Sequence, residues 1–180
     1  MRAVVGLGNP GPDYAATRHN AGFWLADAVA ARWDLPPFRR AERGVATAGE
    51  IDGIPVRLLK PTTYMNRSGA ALASLRADPT FDPSRDLLIL VDDFNIPAGT
   101  FRLRADGSAG GHNGLKSIEG ALQSQQYARL RIGVGPLPPD VAWEDYVLAP
   151  FTQEERERLE ALKPQLLEAV AGWVREGVRV

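Results

Sequence analysis

The chain has 180 residues, 44% hydrophobic and 24% charged, with a formal charge of −1. That suits one ordinary domain with a real core, and excludes a fibrous or disordered protein. There is no cysteine, which excludes disulfides, thiolate catalysis and zinc–thiolate sites.

Along the chain, residues 1–8 form an apolar run broken by Gly6 and Gly8, which predicts a first strand running into a loop. The run is too short for a signal peptide, and nothing after it approaches the ~18 apolar residues of a membrane span. The expectation is therefore a cytoplasmic protein without membrane contact. Gly8-Asn9-Pro10-Gly11-Pro12 is dense in turn residues. Ala21, Leu25, Val29 and Trp33 recur every four residues, the stripe of an amphipathic helix that Pro36-Pro37 stops. Asp52-Gly53 between two β-like runs predicts a hairpin, and Val56–Leu59 lead into Lys60-Pro61 and a polar loop.

Leu87-Leu88-Ile89-Leu90-Val91 is apolar without alternation, as buried parallel strands tend to be, and is expected to end at Asp92-Asp93. Carboxylates just past such a strand stand where open α/β sheets place their ligands. Residues 105–114 form a glycine-rich loop before a short helix from Leu115 to Leu122. Leu130, Ile132 and Val134 alternate with Arg129 and Arg131, which predicts a strand. Thr152 and Glu155 have capping-box spacing at the head of a helix with the stripe Leu159, Leu162, Leu166, Leu167, Val170 and Val174. Pro164 is expected to kink or restart that helix. The alternation of strands and helices predicts one α/β domain over 1–180.

The chemistry-bearing residues are few. Both histidines stand in His-Asn pairs, His19-Asn20 and His112-Asn113, and Asn9, Asn66 and Asn95 fall in loops after apolar runs. No serine has glycine two residues before and two after it, so a nucleophile elbow is absent. A histidine that deprotonates water, oriented by a carboxylate such as Asp92, is the simplest hydrolytic arrangement left. Asparagines suit the remainder, because they donate to a developing oxyanion without adding charge. A two-histidine, one-carboxylate metal site from His19, His112 and Asp92 is the competing arrangement. It is set aside because no H-E-x-x-H accompanies it and the neighbouring glycines and amides are poor ligands. Gly6-Leu7-Gly8-Asn9-Pro10-Gly11 has nucleotide-loop spacing, but its prolines interrupt the helix start that would hold a pyrophosphate.

Charge is uneven. Residues 96–135 carry five bases against two acids, whereas residues 140–180 carry nine acids against five bases. An RNA footprint requires those bases to share one face.

Taken together, the blocks resemble bacterial peptidyl-tRNA hydrolases along nearly the whole chain. They are Val5–Gly11 with Tyr14 and Thr17-Arg18-His19-Asn20-Ala21-Gly22-Phe23, then Lys60-Pro61-Thr62-Thr63-Tyr64-Met65-Asn66, then Val91-Asp92-Asp93-Phe94-Asn95, and Gly110-Gly111-His112-Asn113-Gly114-Leu115-Lys116. Many relatives carry histidine and aspartate where this chain has Val91 and Asn95. The resemblance implies a single three-layer α/β domain, with a mixed, mostly parallel twisted central sheet flanked by helices. It implies hydrolysis of the ester between a peptide and tRNA by a cytoplasmic monomer serving translation and ribosome rescue, with peptidyl-tRNA as partner and no cofactor or metal. Carried over by position, His19 would be the base and Asp92 would orient it. Asn9 and Asn66 would hold the peptide and the base, and Asn113 the water or oxyanion. Tyr14, Tyr64, Met65 and His112 would line the cleft. Arg102, Arg104, Lys116 and Arg131 are candidates for tRNA phosphates. The alternative is an RNA-binding relative of the same fold without catalysis, against which the joint presence of Asn9, His19, Asn66, Asp92 and Asn113 speaks.

Overall fold

The apolar run ending in Asp92-Asp93 forms the middle of the molecule. The computed structural model describes residues 1–178; Arg179 and Val180, the end of the domain expected over 1–180, lie outside the described residues. The strands are β1 (Arg2–Gly6), β2 (Arg39–Ala41), β3 (Gly44–Ile51), β4 (Ile54–Pro61), β5 (Leu87–Pro97), β6 (Phe101–Arg104) and β7 (Ala128–Gly135). They join one sheet in the order β2-β3-β4-β1-β5-β7-β6. The central four, β4, β1, β5 and β7, run parallel, and the strands beyond them pair antiparallel. The sheet is mixed with a parallel centre, as expected.

The helices are α1 (Ala21–Arg32), α2 (Ala73–Arg76), α3 (Pro83–Asp86), α4 (Asn113–Leu122), α5 (Trp143–Val147) and α6 (Gln153–Glu176), with 3-10 turns at Arg18–Asn20 and Met65–Leu72. Strand alternation sorts the core into two layers. Val4, Leu88, Leu90, Leu130 and Ile132 pack under α1 and α6, while Val5, Ile89 and Val91 on the opposite face pack with Leu115 and Ile118 of α4. That gives three layers. No helix of the described residues is long and apolar enough to cross a membrane.

Local signals were read well. Asp52 and Gly53 both have positive φ, 51° and 81°, as a two-residue type I′ hairpin turn demands. Thr152 Oγ1 accepts from Glu155 N at 3.1 Å, and Glu155 Oε1 accepts from Thr152 N at 2.8 Å, completing the capping box. Three expectations change. Helix α1 ends at Arg32, before the prolines, where Asp34 turns to a φ of 52°. Strand β5 does not stop at Asp92-Asp93 but continues to Pro97, its register with β7 shifting between Asp93 and Pro97. Helix α6 runs unbroken through Pro164. Leu159 and Leu162 before the proline and Leu166 and Val170 after it are all buried. At about 1.5–3 kcal/mol each, their burial outweighs the roughly 3 kcal/mol that an interior proline costs.

Candidate active site

The site forms at the C-terminal ends of β1 and β5, where both layers converge. Helix α1 starts hard against the sheet. A Cβ on Gly22 would lie 2.4 Å from Leu90 O and 2.6 Å from Leu7 N, and one on Gly6 would lie 2.4 Å from Gly22 O. Only glycines permit that approach, and it lowers the preceding turn, Arg18–Asn20, onto the end of β5.

His19 on that turn is 6% exposed, and its Nδ1 lies 2.8 Å from Asp92 Oδ2. His112 approaches from the opposite layer, with Nε2 2.9 Å from Asp92 Oδ1. The two rings lie beside each other, centroids 5.0 Å apart, and Asp92 bridges their nitrogens. Burial pushes the Asp92 carboxyl up, but the facing imidazoles outweigh it and hold the group well below the usual carboxylate range. An ionised carboxylate only accepts, so His19 Nδ1 and His112 Nε2 both donate. His112 Nδ1 in turn accepts from Gly114 N at 3.0 Å and Leu115 N at 3.3 Å, capping α4. His19 Nε2 has no hydrogen-bond partner among the described residues.

Two cavities meet at His19, sharing Trp143 and Val147 as walls. One, about 240 Å³, is lined by Asn9, Asn66, Asn113, Tyr64 and Met65. The other, about 290 Å³, is lined by Asp92, Asp93, Phe94, Asn95, Gly110 and His112, with Arg131 at its side. Phe94 and Trp143 stack at 6.3 Å. Asn9 Oδ1 accepts from Met65 N at 2.7 Å, so its amide NH₂ is left for the cavity. Asn66 and Asn113 are exposed, and their side chains have no partner among the described residues. Tyr14 packs edge-on against Tyr64 at 6.4 Å. Tyr64 holds a φ of 63°, a strained value for an aromatic residue, which turns the Met65 amide toward Asn9.

The basic candidates divide. Arg102 pairs with Arg131 across β6 and β7, and Arg104 follows on the same face. Arg131 donates to Ser108 O at 2.8 Å and lies 3.6 Å from Asp93. Lys116 is exposed on α4, above that face of the sheet. Arg129, which shares their strand and sign, is fully buried and donates to the carbonyls of Gly107, Gln125 and Tyr127. It braces the glycine-rich loop.

Two residues without a role in the sequence reading hold the site together. Asn20 accepts from Asn9 N at 2.9 Å and donates to Asn9 O at 3.0 Å, fixing the Asn9 backbone. Its place beside His19 was the available signal. Arg18 donates to Glu155 Oε1 at 2.8 Å and Oε2 at 3.1 Å and to Tyr146 O at 2.9 Å, fastening the His19 turn to α5 and α6. Nothing in the sequence signals a partner 137 residues away. Burial raises the Glu155 carboxyl, but Arg18 and the Thr152 amide pull it below its ordinary range. This stability is full above the ordinary carboxylate range and is lost as pH falls through the lowered value. Glu155→Gln is expected to cost about 2–3 kcal/mol at neutral pH and less in acid, read from urea midpoints at both pH values.

The nearest approach to a metal set among the described residues is one donor atom each from His19, Asp92 and His112, all within 4.8 Å. Each imidazole–carboxylate contact there is already a hydrogen bond. A cation would also require His112 Nε2 without its proton, moving that proton to Nδ1 and breaking the α4 cap. The set fits a proton network better than an ion.

The family model described as peptidyl-tRNA hydrolase matches residues 3–180. The chain is 43% identical over 98% of its length to the peptidyl-tRNA hydrolase of Gemmatimonas aurantiaca, covering 95% of that protein. It is 46% identical to that of Chloroflexus aggregans, over 95% of this chain and 89% of the relative. Among solved structures, peptidyl-tRNA hydrolase from Acinetobacter baumannii superposes with a TM-score of 0.89 at 34% identity, covering 97% of this chain and 89% of that one.

Proposed function

We propose, from the premise that this chain belongs to the peptidyl-tRNA hydrolase family, that it hydrolyses the ester between a peptide and tRNA with His19 as the base. The observation that carries this reading is the His19–Asp92 contact at 2.8 Å, with His19 Nε2 left unpartnered where the two cavities meet. Asp92 keeps the proton on Nδ1, so Nε2 presents its lone pair to a water. The imidazolium that forms on attack is stabilised by the same carboxylate.

The acyl carbon sits between the cavities in this reading. The amide-lined cavity takes the peptide, where Asn9 and Asn66 donate to its carbonyls and Asn113 supports the water or the developing oxyanion. Tyr14, Tyr64 and Met65 wall that side, and His112 the other. The second cavity takes the terminal nucleotide, whose ribose carries the ester and whose base finds the Phe94–Trp143 stack. Arg102, Arg104 and Arg131 on one face, with Lys116 beside them, are positioned for backbone phosphates, which bind without reading sequence. The enzyme acts as a cytoplasmic monomer and returns tRNA to translation, including after ribosome rescue. An ester has a better leaving group than an amide, so one base and a few amides suffice.

The test compares one aminoacyl-tRNA in N-acetylated and free forms. Asparagine amides that pair with an acyl carbonyl leave an unblocked amino acid without its partner, and turnover of the acetylated form is expected to be faster on the order of 100-fold. Equal rates would remove the amides from recognition. Loss of all turnover with a chelator would replace the imidazole base with a metal-dependent hydrolase.

A further inference from the structure

Asp92 has two oxygens and two imidazoles, and the two imidazoles are not equivalent. His19 keeps one nitrogen free toward the cavities, whereas His112 has both nitrogens committed. Its Nδ1 accepts the amides of Gly114 and Leu115 at the head of α4, and its Nε2 donates to Asp92 Oδ1. A nitrogen that accepts two N–H groups carries no proton, so His112 is confined to one neutral tautomer. Protonating Nδ1 would set a cation against two amide donors and the positive end of a ten-residue helix. The side chain is 11% exposed and forms part of the cavity wall. Yet neither of its polar atoms is available to substrate.

We propose that His112 is a positioning residue that acts through Asp92, as a neutral donor whose tautomer is set by the head of α4. This rests on the reading of His19 as the base. The role has two parts. The bond to Oδ1 fixes the carboxylate so that Oδ2 meets His19 Nδ1–H, which in turn directs His19 Nε2. The bond also takes up part of the carboxylate's charge, so that Asp92 orients His19 without holding it protonated. A carboxylate with one imidazole would bind its imidazolium more tightly, and that imidazolium is useless as a base. The other charged groups around His19 are Asp93 and Arg131, which neutralise each other at 3.6 Å on one side, and Glu144 in the wall of the amide-lined cavity. Asp92 hydrogen-bonds the His19 ring, and the His112 ring lies beside it with centroids 5.0 Å apart.

The variant that separates this role from a structural one is His112→Asn. Asparagine is a strong helix N-cap, so the acceptor for the α4 amides is retained. Its side chain ends short of Asp92. With N-acetylated aminoacyl-tRNA, kcat is expected to fall roughly tenfold while KM stays within about twofold. The acid limb of kcat/KM should move up by roughly one pH unit, because the freed carboxylate favours the His19 imidazolium. A loss confined to KM with the acid limb unmoved would overturn the proposal and make His112 a wall of the substrate cleft.

A measurement independent of turnover reads the same claim. The chain has two histidines, so imidazole nitrogen resonances are assigned by comparing wild type with His112→Asn. Wild-type His112 is expected to show the Nε2–H tautomer, with Nδ1 unprotonated at neutral pH because it accepts the Gly114 and Leu115 amides. A wild-type His112 that carries a proton on Nδ1 at neutral pH would overturn the proposal even if the variant failed to fold. A catalytically inert wild type with the expected resonances would sink the hydrolase reading and leave the tautomer assignment standing.

Discussion

Asp92→Asn is expected to lower kcat by roughly 1,000- to 10,000-fold with KM little changed, a loss as large as removal of the base. The argument follows from which partner can yield. An asparagine at 92 presents one acceptor and one donor to two imidazoles. His112 cannot adapt, because its Nδ1 lone pair is occupied by the amides of Gly114 and Leu115, so its Nε2–H still requires an acceptor. The carbamoyl oxygen must therefore face His112, and the NH₂ must face His19 Nδ1. That places the proton of neutral His19 on Nε2, the nitrogen meant to take one from water. The variant keeps the shape of the site and inverts the tautomer of its base. Single-turnover hydrolysis of N-acetylated aminoacyl-tRNA measures the effect, and retention of even a tenth of the wild-type rate would show that Asp92 does not orient His19.

His19→Ala is expected to reduce kcat by about 100- to 10,000-fold, the range that general base catalysis supplies. The remaining rate would come from positioning and from the amides, which the substitution does not touch. Asp92 loses one donor but keeps His112 on Oδ1, so the fold should survive with a cost of about 1–3 kcal/mol. The arginines and Lys116 lie outside the change, and affinity for deacylated tRNA should be unaltered. A melting curve, a tRNA titration and a turnover assay on the same preparation separate the three effects. Wild-type-like turnover would take His19 out of the mechanism and favour binding without base catalysis.

Much of this molecule was legible in the sequence, and the reason differs from part to part. The Asp52-Gly53 hairpin, the Thr152–Glu155 capping box and the α1 and α6 stripes follow from turn chemistry and periodicity, which involve residues a few positions apart. A histidine base beside a carboxylate followed from composition and elimination, whereas the roles of Asn9, Asn66 and Asn113 and the cleft residues followed from the resemblance to the family. What misled was also local. A proline at 164 looks like a break when only its own helix is considered, and Asp92-Asp93 looks like the end of a strand when its apolar run stops. Burial of α6 against α1 and pairing of β5 with β7 overrule both.

The sequence by itself determined the family, the α/β class and the residues from which a site would be drawn. The tertiary structure alone decided which atoms of those residues face one another. Glycine contacts between α1 and the sheet bring His19 to Asp92 across 73 positions, and the head of α4 brings His112 to the other oxygen. It also decided which arginines remain outside: Arg131 lines the cleft and Arg102 pairs with it on the neighbouring strand, while Arg129, two residues away, is consumed inside by the carbonyls of Gly107, Gln125 and Tyr127. Hydrogen bonds and tautomers depend on distances of a few tenths of an ångström between distant segments, and only the packed layers set those distances.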